Sequence, residues 1–212
     1  ALTALSFAPI PWSEDTLFAY LRTGASPHHG VAAGPMTPVV EQLQALPDSD
    51  IRAMAIYLAS LNPPLSPDDI AIRRGNVIAA TSTETHRPTN EAARLFDGAC
   101  AVCHEPGRGP TMFNQGPPLG LNTNLHLDRA DNFLNVVLNG IEYSTHGAMP
   151  GFRNALDNKQ IAELARYARQ RFAAGKAPWK NLEETIEHLR KAHGAPSLLG
   201  EVRHAIARPI RV

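Results

Sequence analysis

The stretch Asn90-Glu91-Ala92-Ala93-Arg94-Leu95-Phe96-Asp97-Gly98-Ala99-Cys100-Ala101-Val102-Cys103-His104 sets the reading of the whole chain. Asn90 ahead of Glu91 is a helix-start signal. Ala92, Phe96 and Cys100 then follow at helical spacing, so a helix over Asn90 to Val102 delivers two thiols and an imidazole at its end. Further helices are expected over Ser13 to Arg22, Asp48 to Leu61, Ala130 to Asn139, Asn158 to Phe172 and Leu182 to Lys191, several of them opened by Ser, Asp or Asn. No convincing run of alternating apolar and polar residues competes with them, and the expected fold class is all-α. The 212 residues hold only two cysteines, so a disulfide framework is excluded as the main scaffold.

Two thiols on one short turn can add to the two vinyl groups of a single porphyrin, and the imidazole of the next residue then meets the iron from the same side. Cys100-Ala101-Val102-Cys103-His104 is therefore read as a c-type haem attachment site, with His104 as one axial ligand. A thioredoxin-like redox pair would need a βαβ setting, which the helical pattern does not offer. A structural zinc site would need two further ligands, and no second Cys pair is present to supply them.

An electron-transfer haem usually has a second strong ligand, and His/Met ligation raises the reduction potential. Four methionines compete for the position. Met149 lies in a loop between two expected helices, and Pro150-Gly151-Phe152 after it lets the chain return over the far face of the ring. Met112 follows His104 too closely to reach that face with ease, and Met54 sits at a core-type helix position. Met149 is the choice, with His146 as its rival because imidazole also binds iron. A ligating histidine usually donates its other ring nitrogen to a carbonyl, and the turn Gly116-Pro117-Pro118-Leu119 can offer that of Pro117. Leu95, Phe96, Leu119, Phe133, Val137, Phe152, Leu164 and Tyr167 would wall the porphyrin, although each is equally explained as plain core.

Composition narrows the partners. Lys plus Arg equals Asp plus Glu at 20 each, with no basic stripe, so nucleic acid is not an expected partner. No stretch approaches the roughly 20 apolar residues of a spanning helix. The start lacks the basic and apolar regions of an export signal, so either a signal has been removed or the chain begins partway through a longer protein.

An internal repeat organises the rest. Phe133-Leu134 to Gly140 leads to Gly147-Ala148-Met149-Pro150, and then to a helix with Ile161, Leu164 and Tyr167. Leu17-Phe18 to Gly24 likewise leads to Gly34-Pro35-Met36, and then to a helix with Ile51, Met54 and Tyr57. The first half has no counterpart of Asn90 to Leu119. The expected organisation is a partial or degenerate unit over 1–61, a Pro-, Asp- and Arg-rich linker over 62–88, a complete haem domain over 89–175, and a helix and tail over 176–212. His28 and His29 read as solvated loop residues, or else as ligands to an unattached metal.

Ala92 and Phe96 before the cysteines, Gly116-Pro-Pro-Leu119, Met149-Pro-Gly-Phe152 and Ile161 to Tyr167 together resemble a class I cytochrome c domain. That resemblance implies a crossing of first and last helices at Ala92, Phe96 and Tyr167, where Ala92 replaces a more usual glycine. Asp131 to Ile141 and Ala177-Pro-Trp179-Lys-Asn-Leu182 resemble the last domain of multihaem cytochrome subunits. These subunits serve periplasmic alcohol and aldehyde dehydrogenases and molybdenum hydroxylases of the nicotinate and isoquinoline type. The first half, with Tyr20-Leu-Arg-Thr-Gly24 and Ala53-Met-Ala-Ile-Tyr57-Leu, is similar to the end of their middle domain.

The resemblance implies one haem c attached by this chain. A second haem, with Met36 as ligand, would depend on an upstream attachment sequence. The chain is then either a fragment of a longer subunit or contains a module that has lost its haem. The ligand-like Gly34-Pro35-Met36 weighs toward the fragment. The expected function is relay of electrons from a dehydrogenase subunit to a quinone or another cytochrome, without substrate chemistry by this chain. The expected location is the periplasm or the outer face of the cytoplasmic membrane, with any membrane association made through the complex. The rival classes are a haem enzyme or sensor with an open sixth position, and a docking or structural subunit.

Overall fold

The structure, a computed structural model, describes residues 6–82, 90–105, 118–144 and 147–192. Ser13 accepts the amide N–H of Thr16 while Thr16 Oγ1 accepts that of Ser13, and this capping box opens α1 (Glu14–Thr23). The chain leaves α1 through Gly24 in the left-handed region and forms an antiparallel hairpin of β1 (Ala25–Ser26) and β2 (Gly30–Val31). Two helices follow, α2 (Met36–Leu43) and α3 (Asp48–Ser60). Trp12, Leu17 and Ala55 form a small buried cluster between α1 and α3. Sequence reading missed α2, which begins at Met36 itself.

The stretch expected as an irregular linker contains α4 (Pro67–Ala80). Its start signals are strong: Ser66 accepts the N–H of Asp69 at 3.1 Å, Pro67 takes the first turn, and Asp68 and Asp69 face the helix dipole. None of its side chains is fully buried, which explains the weak apolar periodicity. Val77 and Thr81 nevertheless close on Gly120, where an added Cβ would lie 2.8 and 2.9 Å from them.

The second unit starts when Asn90 accepts the N–H of Ala93 at 2.8 Å, opening α5 (Glu91–Ala99). The expected single helix through Val102 is interrupted at Cys100, after which α6 (Ala101–His104) completes one turn. Short 3₁₀ turns at Leu119–Leu121 and Thr123–Leu125 lead to α7 (Asp131–Asn139). A second hairpin, β3 (Ile141–Ser144) with β4 (Gly147–Met149), precedes α8 (Asn158–Phe172). An Asp157–Gln160 capping box starts α8. Finally α9 (Leu182–Ala192) lies against α7 and α8.

These elements share one core in which Leu134, Ile161, Ala162, Ala165 and Ile186 are fully excluded from solvent. Helices carry the fold, and the described strands form only the two short hairpins. The chain is all-α, as expected. The expected tail from Ala195 onward lies outside the described residues. Among the described residues no helix is long and apolar enough to cross a membrane.

Candidate cofactor site

The cysteine turn is a single closed loop of backbone. Cys103 and His104 both donate their amides to the carbonyl of Cys100, at 3.1 and 3.0 Å, and Glu105 donates to Ala101 at 2.9 Å. Cys100, Cys103 and His104 are each half-buried, and both thiols are free. Burial pushes the Cys100 thiol up to about 11, and the neighbouring Cys103 adds in the same direction. A dithiol redox centre needs the opposite shift, so the thioredoxin-like reading loses its chemistry here. Burial pushes the His104 imidazole down, which leaves it neutral at neutral pH with a lone pair free for a metal. Among the described residues no three His, Cys, Asp or Glu side chains converge into a metal cluster. The donor set thus fits a haem fastened by two thiols and one imidazole better than it fits zinc.

A buried ion pair fixes the end of that turn. Glu105, directly after His104, is 3% exposed and pairs with Arg171 of α8, which is 6% exposed. Arg171 also donates to Tyr167 Oη at 3.1 Å and lies over the rings of Phe96 and Phe172. Phe96 contacts Tyr167 with ring centroids 5.5 Å apart, so α5 crosses α8 at the expected aromatic pair. Ala93, rather than Ala92, is the small residue fully buried on α5. Ala92 is half-buried and lines a groove with Gln160 and Glu163.

On the other side, Met149 ends β4, half-buried and packed against the core. Its strand pairs Met149 with Ile141, and the following backbone is tied to α7 by Phe152 N–H to Val137 O at 2.9 Å and Arg153 N–H to Leu138 O at 3.0 Å. The approach is so close that glycine is needed. A Cβ on Gly140, whose φ is +74°, would lie 2.3 Å from the Met149 carbonyl, and one on Gly151 would lie 2.8 Å from Leu138 O. The Met149 strap therefore has a defined seat on the C-terminal end of α7.

Leu95, Leu119, Phe152 and Tyr167 are half-buried residues packed against the core, while Phe96, Val137 and Leu164 lie inside it. Phe133 also packs against the core, and its ring contacts Trp179 at 5.4 Å. Pro117, the expected carbonyl partner of His104, lies outside the described residues, as do Met112 and His146. Met36, at the start of α2, and Met54, on α3, are both half-buried.

His29 is not solvated: it is 3% exposed and stacks on Trp12 with centroids 3.5 Å apart. Its Nε2 donates to Ile10 O and its Nδ1 accepts from Ser26 Oγ, each at 2.9 Å, so neither nitrogen is left for a metal. His28 is half-buried.

Sequence reading missed the Glu105–Arg171 pair. A signal existed, since Arg171 falls four residues after Tyr167 and seven after Leu164, on the apolar stripe of its helix. It also missed the linking of the two halves. His29 O accepts the amide of Thr123 at 3.0 Å, and a Cβ on Gly30 would touch Asn122 at 3.4 Å.

Residues 87–167 match the family described as cytochrome c oxidase, cbb3-type, subunit III. The chain is 46% identical over 198 residues to a nicotinate dehydrogenase subunit of Pseudomonas putida, an alignment covering 92% of this chain and 16% of that protein. It is 30% identical over 188 residues to the fructose dehydrogenase cytochrome subunit of Gluconobacter japonicus, covering 78% of this chain and 38% of the relative. It is 29% identical over 196 residues to the cytochrome c subunit of the quinone-linked alcohol dehydrogenase of Gluconacetobacter polyoxogenes, covering 87% and 40% respectively. The chain thus spans well under half the length of these relatives.

Proposed function

We propose that this chain, whose residues 87–167 belong to the cytochrome c family, relays electrons for a periplasmic dehydrogenase complex and itself transforms no substrate. The observation that carries the proposal is the pairing of a rigid Cys100–Cys103–His104 turn with a Met149 strap seated on α7. When bound, haem c supplies reversible one-electron chemistry at iron. Cys100 and Cys103 would hold it covalently, His104 would ligate one face, and Met149 the other. Pro117 would orient the His104 ring, while Leu119 and Phe152 would exclude water. Two ligands fixed by separate buried anchors resist rearrangement between oxidation states, which suits electron transfer and disfavours an open-site enzyme or sensor.

The electron donor in this reading is a dehydrogenase subunit, and the acceptor is a quinone or another cytochrome. A relative that is part of a nicotinate dehydrogenase, and others that are cytochrome subunits of fructose and alcohol dehydrogenases, support the donor class. Attachment to the membrane would come through the complex. Stopped-flow mixing of the oxidised holoprotein with a reduced candidate dehydrogenase tests the relay. Rapid growth of the reduced α-band is expected, and its absence at rates matching turnover overturns the proposal.

Residues 1–61 are proposed to be the later part of a second haem unit, with Met36 as ligand to a haem carried by an upstream segment. Tyr57 supports this, being 67% exposed where its counterpart Tyr167 meets Phe96 of α5. Pyridine haemochrome analysis is expected to give one haem for this chain and more for a longer chain carrying the upstream segment.

A further inference from the structure

Two arginines interlock behind the Met149 strap. Arg190 of α9 donates from Nε to Asn158 Oδ1 at 2.7 Å, from Nη1 to the carbonyl of Arg153 at 2.5 Å, and from Nη2 to that of Leu156 at 2.6 Å. Arg153 answers in the opposite direction, donating to the carbonyls of Arg190 at 3.1 Å and Leu189 at 3.3 Å. Its Nε and Nη2 also hold Asn139 Oδ1 at 3.0 and 2.7 Å. The backbone leaving Met149 is therefore gripped by α7 on one side and α9 on the other.

Packing of α9 does not require this arrangement, because Leu182 and Ile186 already bury its apolar face. Bringing two guanidinium groups into one network adds like-charge repulsion, which the carbonyl acceptors must offset. The hairpin before the strap is irregular between Ile141 and Ser144, so it offers little stiffness of its own. A thioether is a neutral donor, and its hold on iron depends on how firmly the protein presents it. Helix α9 also lies beyond residues 87–167, the stretch that matches the cytochrome family.

We propose that Arg190, acting through Arg153, is a positioning residue for the Met149 thioether, and that α9 keeps the sixth position of the iron closed. The inference rests on Met149 as the second ligand. It is tested on holoprotein carrying Arg190→Ala, Arg190→Lys or, as a packing control, Ile186→Ala. The readouts are the ferric thioether-to-iron charge-transfer band, the midpoint potential and the rate at which imidazole enters the sixth position. In Arg190→Ala the band weakens, the potential falls and imidazole enters about tenfold faster or more. Arg190→Lys lies between it and the unaltered protein, while Ile186→Ala unfolds more easily but exchanges at the unaltered rate. Wild-type exchange with an intact band in both Arg190 variants overturns the inference, as does equal acceleration in Ile186→Ala. Absence of the band from the unaltered protein removes the Met149 assignment, and this inference with it.

Discussion

Helices α8 and α3 occupy equivalent places in the internal repeat, yet they end up in opposite environments. Tyr167 of α8 lies under Phe96, and Arg171 one turn later is buried against Glu105. Tyr57 of α3 is 67% exposed, and Leu61, at the position equivalent to Arg171, is 43% exposed. Beside α8 stands α5, which ends in the cysteine turn, and among the described residues no such helix stands beside α3. A cytochrome-type helix pair is therefore built in two separable parts. The face toward the other helices closes by itself, through Leu17 and Ala55 in one unit and through Leu134 and Ala165 in the other. The face that α5 covers in the second unit stays open in the first.

The sharpest way to break the comparison is to remove the buried Glu105–Arg171 charge pair of the second unit. Arg171→Ala takes a buried cation away from the buried Glu105 carboxylate and is expected to cost about 3 kcal/mol. Leu61→Ala, at the equivalent but exposed place, is expected to cost no more than about 0.5 kcal/mol. Urea unfolding of both holoproteins checks the contrast. Equal losses would mean that the Glu105–Arg171 contact contributes no more than a surface side chain.

Acid separates the two halves next. Burial is the largest cause holding the His29 imidazole down at about 4, with His28 also lowering it and the hydrogen bond to Ile10 opposing both. An unfolded histidine titrates near 6.5, so between about 6.5 and 4 the unfolded chain binds the extra proton and stability falls as pH falls. The contribution is fully present above the unfolded value, and its loss approaches roughly 3 kcal/mol near the folded one. His126, held down chiefly by burial, shifts the second unit in the same direction. Hydrogen exchange resolved by segment is expected to show α1 and α3 losing protection before α7 and α8 as pH drops from 7 to 5. Simultaneous loss would make the halves one cooperative unit.

Backbone freedom at the paired glycines gives a smaller effect. Gly24 and Gly140 both end the first helix of their repeat with positive φ, at 80° and 74°. At Gly24 an added Cβ finds only side-chain atoms, the nearest at 3.4 Å, so Gly24→Ala is expected to cost about 1 kcal/mol. At Gly140 the same atom would collide with the carbonyl of Met149, and Gly140→Ala is expected to cost about 2–3 kcal/mol. Thermal unfolding ranks the two, and only Gly140→Ala should also weaken the thioether-to-iron band.

Much of this was legible in sequence because the signals were local. Ser13, Asn90 and Asp157 announce their helices by side-chain capping, and the cysteine turn announces its chemistry by spacing alone. Helix α4 was missed because no fully buried stripe marks it, even though Ser66-Pro67-Asp68-Asp69 carried every start signal. His29 was misread because its burial depends on Ile10 and Trp12 arriving from the segment ahead of α1, a tertiary fact with no local pattern, and the Ser26 contact within its own hairpin does not announce it. The Arg153–Arg190 exchange was invisible for the same reason, since its partners are 37 positions apart.

The smallest expected effect is the most informative about the exposed face of α3. Tyr57 is 67% exposed, so Tyr57→Ser in this chain should shift stability by no more than about 0.5 kcal/mol. Tyr167→Ser removes a ring packed on Phe96 and a hydroxyl that accepts from Arg171, and should cost about 2 kcal/mol. If the bare face is a seat for an upstream attachment helix, the same Tyr57→Ser change made in a longer chain containing that helix should cost as much as Tyr167→Ser does here. Comparing urea midpoints of the two chain lengths, each with and without the substitution, isolates that difference. A Tyr57 effect that stays near zero in the longer chain would mean that the face is solvated by design, and that the repeat preserves a shape without preserving a site.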